Sequence, residues 1–72
     1  MKTIDITKVS PDRTNSDLAY IFYGDAKELG IRQGDQFQTS DGGREVFEVQ
    51  EYITFRPDMH RTFKGFKCRV IN

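Results

Sequence analysis

The stretch Asp25-Ala26-Lys27-Glu28-Leu29-Gly30-Ile31-Arg32-Gln33-Gly34-Asp35 carries the clearest local instructions in the chain. Asp25 is placed to cap a helix, and Glu28, three residues on, completes an acidic version of the capping box. Ala26–Leu29 then makes about one helical turn. Gly30 suits the left-handed position that ends a helix, and Ile31 the hydrophobic position after it, as in a Schellman ending. Gly34-Asp35 turns the chain again. The segment therefore predicts a strand, a short helical turn near residues 26–29, a tight turn and a second strand.

Working outward toward the N-terminus, Leu18–Tyr23 (LAYIFY) is apolar on both faces. As a strand it points Leu18, Tyr20 and Phe22 one way and Ala19, Ile21 and Tyr23 the other. Such a strand is either covered on both sides by its own chain or presents one face to a partner. Tyr20, Phe22 and Tyr23 are the residues expected at a protein interface. Ser10–Asp17 reads as a polar loop begun by Pro11. Thr3–Val9 alternates, Ile4 and Ile6 against Asp5 and Thr7, and predicts a half-buried strand.

Toward the C-terminus, Gln36–Ser40 predicts a strand with Phe37 inward, and Asp41-Gly42-Gly43 a hairpin turn. Arg44–Arg56 is the return strand, with Phe47, Val49, Ile53 and Phe55 on one face. Glu51 falls on that apolar face, which calls for a bulge or for a bend where the strand crosses between sheets. Pro57-Asp58 begins a turn running to about Thr62. Phe63–Ile71 is the last strand, with Phe66, Cys68 and Val70 inward and Lys67 and Arg69 outward.

Five strands and one helical turn in 72 residues predict a mainly β fold in a single domain, residues 1–72. A small five-stranded barrel or rolled antiparallel sheet fits, SH3-like first and OB-like second. At this size roughly 60% of the unfolded surface is buried, so the stability margin is thin. Nine aromatics, six Phe and three Tyr, supply large units to bury.

Composition excludes more than it assigns. One cysteine forbids an intrachain disulfide, and Cys68 with His60, the one histidine, cannot complete a four-ligand zinc site. No apolar run is long enough to span a membrane, and no signal-peptide pattern follows Met1. A lone cysteine in that context leads us to expect a reducing, cytoplasmic setting. No cofactor motif is present: Gly42-Gly43 lacks the phosphate-loop spacing. A Cys68–His60 dyad is disfavoured because Cys68 alternates with Phe66 and Val70, as a buried, inert thiol does. The carboxylates are dispersed, and Glu45 and Glu48 lie on opposite faces of one strand. The chain is expected not to be an enzyme.

Charge is uneven although the net charge is zero. Residues 1–55 hold six basic and ten acidic side chains; residues 56–72 hold five basic ones and Asp58. The asymmetry marks either a basic surface for an anionic partner or two halves that neutralise each other across a sheet. Arg56, Arg61, Lys64, Lys67 and Arg69 interleave with Phe55, Phe63 and Phe66. Phe55 and Phe66 read as core, leaving Phe63 to stack on a base, a pattern suited to single-stranded nucleic acid. Lys64-Gly65-Phe66 matches only the start of the RNA-recognition octamer.

Glu28-Leu29-Gly30-Ile31-Arg32-Gln33-Gly34-Asp35, followed by a strand and a Gly-rich hairpin, resembles two families. One is the AbrB-type swapped-hairpin DNA-binding regulators; the other is the FeoA-type SH3-like domains. The likeness spans about Glu28–Tyr52. It implies a small β-barrel and transfers no functional residue, because the AbrB-type helix is longer, begins with proline and is basic.

The leading functional expectation is a small non-catalytic binding or regulatory module acting on a protein partner or on itself, such as a phage- or plasmid-type regulator or inhibitor. The alternative is a nucleic-acid-binding accessory protein using Arg56, Arg61, Phe63, Lys64, Lys67 and Arg69. No metal or membrane partner is expected.

Overall fold

A computed structural model describes residues 1–56 and 59–72. The turn expected at Pro57-Asp58 lies outside the described residues. Six strands and one helix follow the order β1 (Lys2–Ile4), β2 (Ser10–Pro11), β3 (Leu18–Phe22), α1 (Tyr23–Leu29), β4 (Gln36–Thr39), β5 (Phe47–Phe55) and β6 (Phe63–Val70). They form one curled sheet, a half-barrel, in the order β1-β4-β5-β6-β3-β2. The fold is mainly β with one short helix, close to the small barrel expected. It has a sixth strand, and β1 runs parallel to β4 whereas every other pairing is antiparallel.

The strand expected over Thr3–Val9 is broken. Asp5 Oδ1 accepts hydrogen bonds from the Thr7 amide (2.9 Å) and the Thr7 hydroxyl (2.8 Å). That local bond competes with a ladder and folds Ile6–Lys8 into a 3-10 turn. Ile4 is buried, while Ile6 is left exposed. The Ser10–Asp17 loop likewise begins with a short strand, β2.

The helix is longer than one turn and starts earlier. Tyr23 leaves the strand to become its first residue, and Phe22 occupies the N-cap without a side-chain bond. Asp25 is therefore not the cap. It lies inside the first turn, where acids are favoured by the helix dipole, and Lys8 Nζ sits 3.4 Å away. The helix ends as expected. Gly30 has φ 68°, the Ile31 amide donates to Ala26 O (2.9 Å), and the Gly30 amide donates to Lys27 O (3.3 Å). Ala26 and Ile31 are buried.

The return strand begins at Phe47, not Arg44. The β4–β5 ladder holds only Gln36 opposite Glu48 and Phe37 opposite Phe47, so residues 40–46 form a wider loop than a tight hairpin turn. Asp41 Oδ1 organises it by accepting from the Thr39 hydroxyl and the Gly43 amide.

The core lies on one face of the sheet under α1: Ile4, Val9, Ala19, Ile21, Ala26, Ile31, Phe37, Phe47, Val49 and Cys68, with Phe66 and Val70 packed against it. Cys68 and Val70 lie inward, as read from alternation, and burial pushes the Cys68 thiol up to about 12.

The bulge falls where Glu51 called for one, between Val49 and Glu51. Val49 pairs with Cys68 on the core face, and Glu51 pairs with Lys67 on the opposite face. The extra residue reverses the alternation, so Ile53 and Phe55 follow Glu51 outward. Phe55 is not core; it belongs to the outer face.

Candidate functional site

On the outer face the sheet gathers Tyr20 and Phe22 of β3, Phe55 of β5 and Phe63 of β6. Tyr20 stacks on Phe55 with ring centroids 4.5 Å apart, and Phe22 stacks on the same ring at 5.6 Å. Phe63 lies 4.7 Å from Phe22, tilted by 47°. All four rings are half-buried. Tyr20 pairs with Lys67 of β6, and Phe55 with Phe63 four residues away. In a flat sheet that offset, two strands across, would separate the Cα atoms by about 17 Å. Coiling of the β5–β6 hairpin toward β3 brings the rings together.

Gly65 permits the coil. A Cβ there would lie 2.2 Å from Ile21 O and 3.0 Å from Phe22 Cα, both backbone atoms of β3. Only glycine allows β6 to approach β3 this closely.

Beside the rings lies a cleft of about 390 Å³ bounded by the residue 10–14 loop, Tyr20, Phe55 and Arg56. Asp12 orders its wall. One carboxylate oxygen accepts from the Thr14 amide (2.8 Å) and hydroxyl (2.7 Å), and the other from Tyr20 Oη (2.7 Å). Tyr20 chiefly, then Thr14, hold the Asp12 carboxyl down to about 2. The same bond raises the Tyr20 phenol above its ordinary value. Arg13 and Arg56 flank the cleft and are exposed. The site thus presents stacked rings, a carboxylate fixed by hydroxyl and amide donors, and two cations.

The interface residues expected from sequence separate. Tyr20 and Phe22 share the outer face. Tyr23, half-exposed, turns away with α1 and meets Tyr52 edge-on at 5.6 Å.

The basic set separates too. Lys67 and Arg69 share the outer face with Phe63, whereas Lys64 pairs with Thr54 on the opposite side of the sheet. Lys67 Nζ contacts Glu51 at 3.1 Å, and Arg69 stands across the ladder from Glu48. Arg56 lines the cleft, and Arg61 is exposed in the approach to β6. Acid and base are therefore apposed at these two rungs of β5 and β6.

Phe55, Asp12 and Arg13 were missed as site residues. For Phe55 the signal was present: Glu51 stood on the wrong face, and a bulge that rescues Glu51 must also turn Phe55 outward. Asp12 and Arg13 lie in a polar loop, where nothing local distinguishes a cleft wall from a solvated turn.

Among the described residues no group of three or more His, Cys, Asp or Glu side chains is placed to hold a metal ion, and no helix is long and apolar enough to cross a membrane. The fold and face define a small β half-barrel with an aromatic outer surface. Comparison with protein-family models, curated proteins and solved structures yields no significant match.

Proposed function

We propose that the chain is a non-catalytic binding module that engages a protein partner through its outer aromatic face. One observation carries the reading: four half-exposed rings, Tyr20, Phe22, Phe55 and Phe63, collect on the side of the sheet away from the core, beside a cleft flanked by Arg13 and Arg56. Clustered aromatics with arginine at the rim are the composition of interface hot spots. A regulator or inhibitor of a larger assembly acts through a surface of this kind.

The nucleic-acid reading rests on Phe63, Lys67 and Arg69 sharing that face. It is the weaker one. Phe55 stacks nearly parallel on both Tyr20 and Phe22, so its ring is already engaged by its neighbours. Lys67 is paired with Glu51.

The test uses partner captured from the native host, then purified, against the wild type, Arg56→Glu and Arg13→Glu. Both arginines are exposed, so the variants are expected to fold normally and to lose affinity by about tenfold or more. Unchanged affinity in both folded variants removes the cleft from the interface. Tight, steeply salt-dependent binding of single-stranded oligonucleotides, with no protein partner, replaces the reading with the nucleic-acid one.

A further inference from the structure

We propose that the outer edge of β5, Glu51–Phe55, pairs antiparallel with the same segment of a second copy, joining two half-barrels into one continuous sheet. This edge borders the aromatic face and shares Phe55 with it, but the pairing is made by the β5 main chain and does not depend on that face's role.

The two terminal edges of the sheet are guarded. β1 has three residues, and β2 has two, one of them Pro11. Short edges and proline are the usual defence against stray pairing. The third edge is neither short nor interrupted by proline. β4 pairs with β5 only as far as Glu48. The following turn adds Gly34 N to Val49 O and Val49 N to Asp35 O, each 2.8 Å. Beyond Val49 no strand among the described residues lies on that side of β5. Its other side is bonded to β6 through Phe55.

The open segment, Glu51-Tyr52-Ile53-Thr54-Phe55, holds β-branched and aromatic residues, one charge, and neither lysine nor proline. Tyr52 is 48% exposed there, and Tyr23, 50% exposed, stands against it. Unpaired strand donors and acceptors beside exposed aromatics are the elements of strand addition.

The segment is close to its own complement, which favours a second copy as the occupant. A two-fold axis perpendicular to the sheet keeps equivalent faces together. Centred on Ile53, it sets Ile53 against Ile53, Tyr52 against Thr54 and Glu51 against Phe55. The lone charge then lies about 14 Å along the ladder from its counterpart. No like charges meet, and β-branched or aromatic pairs fill the three central rungs, Ile53 with Ile53 and Tyr52 with Thr54 on either side.

Sedimentation equilibrium of the wild type, Ile53→Lys, Ile53→Glu and an equimolar mixture of the two variants tests this. The wild type is expected to dimerise reversibly in the micromolar to high-micromolar range. Either variant places like charges opposite at the axis and is expected to weaken association by about tenfold or more. The mixture, now opposite in charge, is expected to recover the dimer. Hydrogen exchange on the wild type gives a readout independent of variant folding: protection of the Glu51–Phe55 amides rises with protein concentration. Three results overturn the proposal: a wild type that stays monomeric with concentration-independent exchange, a dimer indifferent to both substitutions, or protection that appears only on adding a foreign extended peptide.

Discussion

Replacing Gly65 with alanine tests the close approach on which the outer face depends. The added methyl would meet Ile21 O at 2.2 Å, the Ile21 carbonyl carbon at 3.0 Å and Phe22 Cα at 3.0 Å. Ordinary carbon contacts begin near 3.5 Å. β6 must therefore withdraw from β3 by about 1 Å at a point where both neighbours are main chain. No side chain can rotate away to absorb the methyl. Overpacking in a rigid site costs about 1–3 kcal/mol. The upper end, about 3 kcal/mol, applies here because withdrawal also loosens Phe22 from Phe55 and Phe63. For 72 residues the whole stability is about 4–11 kcal/mol. The loss should lower Tm by roughly 12–24 °C. Gly24→Ala is the control: a Cβ there meets nothing within 4 Å, and alanine is favoured over glycine inside a helix. Urea unfolding followed by circular dichroism measures both. Gly24→Ala is expected to be neutral or stabilising by up to about 1 kcal/mol. A cost below about 1 kcal/mol for Gly65→Ala would refute the reasoning, since β6 would then have room that the structure denies it.

Three further predictions concern smaller parts of the fold. Asp12 has a folded value of about 2 against an ordinary 3.8, so its carboxylate supports the folded cleft above about pH 4 and loses that support as pH falls through about 2. The Tyr20 near-ultraviolet signal should change across that window in the wild type and be flat there in Asp12→Asn; an unaltered transition in the variant defeats the assignment. Tyr20, raised above 10.0, contributes in the opposite sense, with support lost only as alkali ionises the phenol. Cys68, held near 12 by burial, should react with a thiol reagent at neutral pH only through unfolding, with rates that track added denaturant; immediate modification of the native protein would contradict its placement. Gly30→Ala, at φ 68°, should cost about 1–2 kcal/mol in a urea melt because a Cβ is strained there; a neutral result would mean that the Schellman ending does not hold the helix.

Local signals were legible where one residue type has one use. Gly30 with Ile31 ended the helix as read, because few residues tolerate a left-handed position. The alternation of Phe66, Cys68 and Val70 placed those residues correctly because period two has one meaning in a strand. Thr3–Val9 shows the limit. Ile4 and Ile6 alternate like a strand, but a carboxylate two residues before Thr7 had its own bond to make. Asp25 shows another: the helix begins at Tyr23, two residues before its best capping residue, so a cap bond worth about 1 kcal/mol did not set its start. The candidate face was half visible. Tyr20 and Phe22 stood out as apolar residues on a two-faced strand. Phe55 was hidden because a single bulge inverts the meaning of every later position in its strand. Asp12 and Arg13 join the site only through contacts across the fold.

The most direct measurement is an amide chemical-shift map of the labelled protein as purified partner is added. The expected changes centre on Arg13, Tyr20, Phe22, Phe55, Arg56 and Phe63, with the core-facing residues Ile4, Phe37 and Val49 little affected. Changes confined to the α1 face or to the Ser40–Val46 loop, with the aromatic face silent, would contradict the central claim.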